Sequence, residues 1–96
     1  MKLWIDDVRP APEGYVWLKS VNDTIKFINA NNNDIELINI DHDAGDYEFD
    51  GGDYIKLLDW LEETDRNYPI HIHSMNVVGV RNMRRIIEAN GWKEIR

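Results

Sequence analysis

The sequence predicts an α/β domain built on a parallel sheet, and three observations support this. Apolar runs of strand length alternate along the chain with amphipathic stretches of helical length. Residues 3–5 and 35–40 are almost continuously apolar, which is typical of strands that helices cover on both faces. Three of the runs end abruptly in ionisable residues, which are costly to bury unpaired. In parallel sheets the functional crevice lies beyond the carboxyl ends of the strands, so we expect a site there.

The first half of the chain predicts two strands, a helix and a third strand. Residues 2–7 and 15–18 form the strands, and the segment 9–14 between them holds two prolines and a glycine, which exclude a helix. Ser20 and Asp23 have the spacing of a capping box that opens the first helix, and three consecutive asparagines end it. The central strand, 35–40, leads directly into Asp41.

The second half predicts two helices and two further strands. Asp53 opens a helix with a clean apolar face, and residues 70–73 form the fourth strand. Ser74 or Asn76 caps the last helix. A short fifth strand, 92–95, follows the stop at Asn90-Gly91.

The composition indicates one domain spanning residues 1–96, without disulfides because there is no cysteine. Eighteen acidic and eleven basic residues give a net charge of −7, which argues against binding to an extended nucleic-acid backbone. A nucleotide or a single RNA end held in a local pocket is compatible with this charge. No apolar run approaches the ~20 residues of a membrane span, so we expect a cytoplasmic protein without a membrane partner.

Carboxylates at the strand ends predict a metal site. If the first and third strands are neighbours, Asp6, Asp7 and Asp41 meet, and a cation is needed to offset their repulsion. Ligands of this kind suit Mg²⁺ or Mn²⁺. Asp43 is a further candidate ligand, although an isolated aspartate at this position is equally typical of a turn. The alternative for the whole set is that these residues are helix caps and solvated acids.

Histidines at the same edge are candidates for catalysis beside Asp41. His71 and His73 point to one side of their strand, roughly 6.5–7 Å apart. A near-neutral pKa suits proton transfer to or from a phosphodiester, with His73 as the main candidate and His71 or His42 assisting. Direct metal ligation is the competing use, and a single buried histidine is more often structural.

Four residues are candidates for holding phosphate. Ser74 and Asn76 lie where the fourth strand passes into the last helix, whose free N–H groups and dipole attract anions. Arg9 and Arg81 could each add a bidentate contact, whereas Arg84 and Arg85 are expected to form a solvated face. Trp4 and Trp60 are expected in the core.

Together these residues resemble the receiver domains of two-component signalling. Asp6, Asp7, Asp41 and Ser74 carry that resemblance. It implies a flavodoxin-like three-layer sandwich with strand order 2-1-3-4-5, a divalent metal at the acids and a lysine on the last strand. The absence of a helix between the first two strands departs from this pattern, and so does Lys93, which lies in the last strand segment but is not followed by proline.

The features that differ from ordinary receiver domains match a narrower group, the cyclic-phosphate processing receiver-like domains. The sequences at 3–10 (LWIDDVRP), 40–43 (IDHD) and 71–76 (HIHSMN) carry this similarity. It implies processing of a cyclic phosphate at an RNA end or in a small nucleotide, with links to RNA repair and to phages. The hypothesis is a metal-dependent phosphoesterase. The alternatives are a phospho-accepting receiver with Asp41 as acceptor, and a noncatalytic phage-type factor that binds a nucleotide or a host protein.

Overall fold

The structure, a computed structural model, describes residues 1–96 and contains four strands, three α-helices and two short 3₁₀ turns. The strands are β1 (Lys2–Ile5), β2 (Tyr15–Leu18), β3 (Leu37–Ile40) and β4 (Ile70–Ile72), and the helices are α1 (Val21–Ala30), α2 (Ile55–Glu63) and α3 (Val77–Ala89). The 3₁₀ turns are Asn32–Asp34 and Gly45–Tyr47. None of the helices has both the length and the apolar character needed to cross a membrane.

All strands run parallel in the order β2-β1-β3-β4. This confirms the α/β class, the receiver-like strand order and the missing helix between β1 and β2. The last residue of β1, Ile5, is level with Leu18 of β2 and with Ile40 of β3, and Ile40 is level with Ile72 of β4. The four strands therefore end together, and we call this end of the sheet the carboxyl edge.

The predicted fifth strand is reduced to one bridge, between Ile70 and Glu94. Ile70 N–H donates to the Lys93 carbonyl, and Ile95 N–H donates to the Ile70 carbonyl. The next bond of a parallel ladder would join Ile72 N–H to the Ile95 carbonyl. That carbonyl instead lies 2.7 Å from Nδ1 of His71, so a side chain ends the ladder after one step.

The helices form one layer, so the domain has two layers where three were expected. The connections from β2 to β3, from β3 to β4 and from β4 onward all step in the same direction across the sheet. Right-handed crossovers then put every helix on the same face. The packing agrees, because one core cluster joins Leu3, Ile38 and Ile70 of the sheet to Ile28 of α1 and Met83 of α3.

The opposite face of the sheet carries no helix and presents aromatic and polar side chains. Trp4, Asn39, His71 and His73 alternate along their strands with the core residues and belong to this face. The expectation that Trp4 lies in the core is therefore wrong, whereas Trp60 does pack against the core. The reason is the missing helix after β1, which in a three-layer fold would cover this face.

Caps at two helices match the sequence. Ser20 Oγ accepts a hydrogen bond from the Asp23 N–H at the start of α1. Of the two candidate caps of α3, the structure selects Asn76, whose Oδ1 accepts from the Gly79 N–H at 2.9 Å. Asp53 does not cap α2, which begins at Ile55, because its carboxylate accepts from the Ala44 N–H.

Candidate metal and phosphate site

Three carboxylates converge at the carboxyl edge. Asp6 and Asp7 directly follow β1, and Asp41 directly follows the neighbouring β3. One oxygen of each lies within 4.8 Å of the others. The strand order thus brings together the three acids that the sequence singled out.

Asp6 is fully buried but well supplied with hydrogen-bond donors. Its Oδ1 accepts from the Val8 and Arg9 N–H groups at 3.0 and 2.9 Å, and its Oδ2 lies 2.9 Å from Nε2 of His73. Burial raises the pKa of Asp6, but these hydrogen bonds outweigh it and hold the pKa below its usual range. Asp6 is therefore a fixed, ionised carboxylate.

The pKa of Asp7 is shifted in the opposite direction from that of Asp6. Burial, followed by the negative charges of Asp6, Asp41 and Asp46, raises its pKa. Gly45 packs against it so closely that a Cβ at this position would lie 2.1 Å from Asp7 Oδ2. Gly45 also has φ of +53°, so glycine is favoured there twice over.

These residues fit a divalent cation. The donors are carboxylate oxygens, which hard ions such as Mg²⁺ and Mn²⁺ prefer. Burial first, and then the neighbouring negative charges, raise the pKa of Asp7, and a cation between the acids would offset both effects. Asp43 is not part of this group, because it lies with His42 and Asp53 in a second cluster.

His73 is engaged on both ring nitrogens. Nε2 faces Asp6, Nδ1 lies 2.5 Å from Asn39 Oδ1, and the ring stacks on Trp4 with centroids 3.9 Å apart. Because a carboxylate only accepts, Nε2 carries the proton, and burial lowers the pKa of His73 despite the favourable charge of Asp6. As placed, both ring nitrogens face oxygen acceptors, so a neutral His73 requires the Asn39 amide in its alternative orientation, with the N–H group donating to Nδ1. His73 is thus placed to position Asp6.

Trp4 and Trp17 hold the loop that carries these acids. The Trp4 indole N–H donates to the Arg9 carbonyl, and that of Trp17 donates to the Asp6 carbonyl. The uncovered face of the sheet therefore fixes the main chain on both sides of Asp7.

His71 lies on the same strand and face as His73 but turns to the C-terminal segment. Its Nδ1 lies 2.7 Å from the Ile95 carbonyl, which requires Nδ1 to donate. The structure gives it no contact with the three acids.

His42 has the arrangement of an oriented proton acceptor. Its Nδ1 lies 2.8 Å from Asp43 Oδ1, and Asn76 Nδ2 donates to the same carboxylate at 3.2 Å. Nε2 makes no hydrogen bond to the protein. Every fully buried side-chain nitrogen or oxygen in the structure has a hydrogen-bond partner, so Nε2 must be partly exposed to solvent. The His42 N–H donates to Asp41 at 2.7 Å, which ties this pair to the acid site.

Gly79 makes room for the His42 ring in the first turn of α3. An ideal Cβ at position 79 would lie 2.4 Å from Cγ of His42. In a solvent-exposed helix, Gly→Ala stabilises by about 1 kcal/mol. We expect Gly79→Ala to do the reverse and to destabilise by about 1–3 kcal/mol, since the ring must move. Urea unfolding followed by circular dichroism measures the change.

The double variant His42→Ala/Gly79→Ala is the control for that prediction. With the ring removed, the alanine at position 79 should recover its normal helix preference and should not destabilise relative to His42→Ala alone. A Gly79→Ala protein at least as stable as the wild type would contradict the packing described for His42.

The phosphate-binding candidates divide between the edge and α3. Arg9 Nη1 donates to the His73 carbonyl at 3.1 Å, so its guanidinium lies across the ends of β1 and β4. Ser74 Oγ accepts from the Asn76 N–H, which shapes the turn into α3. Arg81 is exposed and lines a groove beside α3.

Exposed apolar side chains lie on the segments that follow the strands at the carboxyl edge. Val8, Phe49, Met75 and Val77 are 71%, 85%, 84% and 70% exposed, and each belongs to a loop or helix start that follows β1, β3 or β4. Apolar groups exposed together around a polar centre are typical of a binding surface.

Comparison with protein families gives a match over residues 1–89, to the family described as the cyclic-phosphate processing receiver domain. The chain belongs to this family. Comparisons with curated proteins and with solved structures give no match.

In this cyclic-phosphate processing receiver domain, Lys93 cannot serve as the receiver lysine. Its carbonyl pairs with Ile70, the first residue of β4, so it lies level with the amino ends of the strands. The acids lie at the other end of the sheet. Arg9 is the cation that reaches across the carboxyl edge.

Sequence reasoning missed Asn39 and Gly79 of this receiver domain. Asn39 interrupts an apolar strand yet is only 8% exposed, and a buried amide needs a partner. Strand alternation places Asn39 on the same face of the sheet as the two histidines, so its hydrogen bond with His73 could have been predicted from the sequence. Nothing local in the sequence points from Gly79 to His42, which lies 37 residues earlier.

Proposed function

We propose that this domain hydrolyses a cyclic phosphate, at an RNA end or in a small nucleotide, with the help of a divalent metal. The observation that carries the proposal is the convergence of Asp6, Asp7 and Asp41 beside the hydrogen-bonded pair His42–Asp43. Membership of the cyclic-phosphate processing family supports this class of substrate.

Asp6, Asp7 and Asp41 would hold the metal, with His73 positioning Asp6 through its Nε2 hydrogen bond. When bound, Mg²⁺ or Mn²⁺ would stabilise negative charge on the phosphoryl oxygens. Arg9 contributes a further positive charge at the same edge.

His42 is the residue best placed to accept a proton. Asp43 holds its Nδ1–H and leaves the Nε2 lone pair free for a proton from the attacking water. The water oxygen forms a bond to phosphorus, one ester P–O bond of the ring breaks, and the released sugar oxygen takes a proton. The product is a phosphate monoester, one water heavier than the substrate.

The main-chain N–H groups of Val77 and Val78 begin α3 without a protein acceptor and would contact phosphate oxygens. Phe49, stacked near Tyr47 with ring centroids 6.5 Å apart, and Met75 offer apolar contact to a base or sugar. These contacts would position the substrate at the carboxyl edge.

Product analysis tests the proposal. Short RNAs ending in a 2′,3′-cyclic phosphate, and cyclic mono- and dinucleotides, are incubated with the protein in Mg²⁺, Mn²⁺ or EDTA. Mass spectrometry should show the addition of one water to at least one substrate, with metal and not with EDTA. Binding without turnover across the whole panel would contradict hydrolysis and would assign the domain to nucleotide binding.

A further inference from the structure

A groove of about 660 Å³ runs along α3 beside the edge of β4. Ile72, Val77 and Val80 form its apolar part, and Ser74, Arg81, Arg84, Arg85 and Glu88 form its polar part. From Val77 to Glu88 the helix rises by roughly 16 Å, which is longer than one nucleotide. The fifth strand would have narrowed this space, but it ends after the single bridge at Ile70.

The groove is locally positive on an acidic protein. Three of the six arginines of the chain line it against one glutamate, although the net charge is −7. Arg84 is held in place by Glu94, with Nε 2.8 Å from the carboxylate. Arg81 and Arg85 are exposed and make no ion pair, and Arg85 donates one long hydrogen bond, to Asn82 Oδ1 at 3.4 Å. Their guanidinium groups are therefore available to a ligand.

The groove reaches the carboxyl edge at Ser74. This residue lines the groove and also bonds to Asn76, the cap of α3. The preceding carbonyl, of His73, accepts from Arg9 at the acid site. A ligand whose terminal phosphate lies at the acids can therefore extend past Ser74 along α3.

Ile72 adds main-chain groups to the same wall. The neighbouring His73 N–H donates to Ile40 of β3, so the N–H and carbonyl of Ile72 point away from β3 toward the open edge. The Ile95 carbonyl that would have paired with this N–H is taken by His71. These groups can bond to a polar ligand in the groove.

We propose that the groove binds the backbone phosphates of a single-stranded RNA just before its cyclic-phosphate end, so that the preferred substrate is an oligonucleotide. The inference rests on the proposed function, because that function fixes the end of the chain at the acids. An acidic peptide would satisfy the arginines equally well. RNA is favoured because the groove begins at Ser74, next to the candidate phosphate site. The net charge of −7 limits the contact to a few nucleotides and makes it weak in salt.

The first test compares turnover of two substrates. We expect kcat/KM for an RNA of about six nucleotides with a 2′,3′-cyclic phosphate to exceed that for the matching nucleoside 2′,3′-cyclic phosphate by about tenfold or more. Arg81→Gln/Arg85→Gln should lower this ratio about tenfold. The control Lys26→Gln/Lys56→Gln makes the same change in charge on exposed positions of α1 and α2, outside the groove, and should leave the ratio unchanged.

The second test does not depend on turnover. Fluorescence anisotropy measures binding of the same RNA with a 3′-hydroxyl end, in EDTA, over a range of salt concentrations. The groove variant should reduce the slope of log K against log salt by about 1.4, because two phosphate contacts are lost. Equal losses in the groove variant and the lysine control would overturn the proposal. Equal competition by an oligoglutamate of the same charge would also overturn it, in favour of a peptide site.

The two tests separate the inference from the function on which it rests. Metal-dependent hydrolysis with the same kcat/KM ratio in wild type and groove variant leaves the function standing and removes the RNA groove. A groove-specific loss of RNA binding without hydrolysis of any substrate leaves the groove standing and removes the enzyme.

Discussion

Asp41→Asn is expected to lower the rate of cyclic-phosphate hydrolysis by about 10³-fold or more. Asp41 supplies one of the three carboxylates at the candidate metal site, and the amide has neither its charge nor its full ligand strength. Loss of charge stabilisation worth about 4 kcal/mol in the transition state corresponds to this factor. Initial rates at several Mg²⁺ concentrations measure it, and circular dichroism verifies that the variant is folded.

Asp46→Asn is the matched control for that change. Asp46 lies at the same edge, and its charge contributes to the raised pKa of Asp7, but it is exposed and does not belong to the group of three acids. We expect its rate to remain within about threefold of wild type. Equal effects of the two substitutions would show that general negative charge, and not ligation, explains the loss.

His73→Ala is expected to cost about 3–4 kcal/mol of unfolding free energy in the absence of metal. The substitution leaves the fully buried Asp6 without its side-chain partner, leaves Asn39 unpaired and removes the ring that stacks on Trp4. Breaking a buried, hydrogen-bonded pair by removing one partner typically costs this much. Urea unfolding in EDTA gives the value.

His71→Ala provides the comparison on the same strand and the same face. His71 makes a single hydrogen bond, to the Ile95 carbonyl, so its loss should cost only about 1 kcal/mol. Similar costs for the two histidines would contradict the view that His73 is the buried partner of Asp6.

The stability supplied by His73 should also depend on pH with a defined sign. Burial lowers its pKa in the folded state below the ordinary value of 6.5. Between the two pKa values the unfolded chain binds more protons, so stability rises with pH in this window. The free-energy difference between wild type and His73→Ala should therefore be complete above about pH 6.5 and should shrink as the pH falls below it.

The sequence predicted that the three acids converge because two simple rules govern their placement. Parallel strands end at one edge, and Asp6, Asp7 and Asp41 each follow an apolar run directly. Which acids lie close together then depends on which strands are neighbours, and the receiver-like order makes β1 and β3 adjacent. Those three acids could be grouped without coordinates. Asp43 could not be placed, since its side chain turns to His42 and Asn76.

The layer count and the roles of the histidines depend on contacts that sequence patterns do not show. Continuously apolar strands suggested helices on both faces, but Trp4 and Trp17 use their indole N–H groups to hold the loop after β1. His71 and His73 look equivalent in the pattern His-Ile-His. Only their partners, the Ile95 carbonyl and Asp6, separate a residue that ends a ladder from one that positions an acid.

Titration calorimetry of metal binding is the decisive test of the site formed by the three acids. We expect the wild type to bind one Mg²⁺ or Mn²⁺ per chain, with an affinity that rises as the pH passes through the raised pKa of Asp7, since its proton must leave. Asp7→Asn should abolish this binding. In EDTA, however, it should stabilise the fold by on the order of 1 kcal/mol, because a repelling charge is gone. Absence of binding by the wild type, or equal binding by Asp7→Asn, would contradict a metal site formed by these three acids.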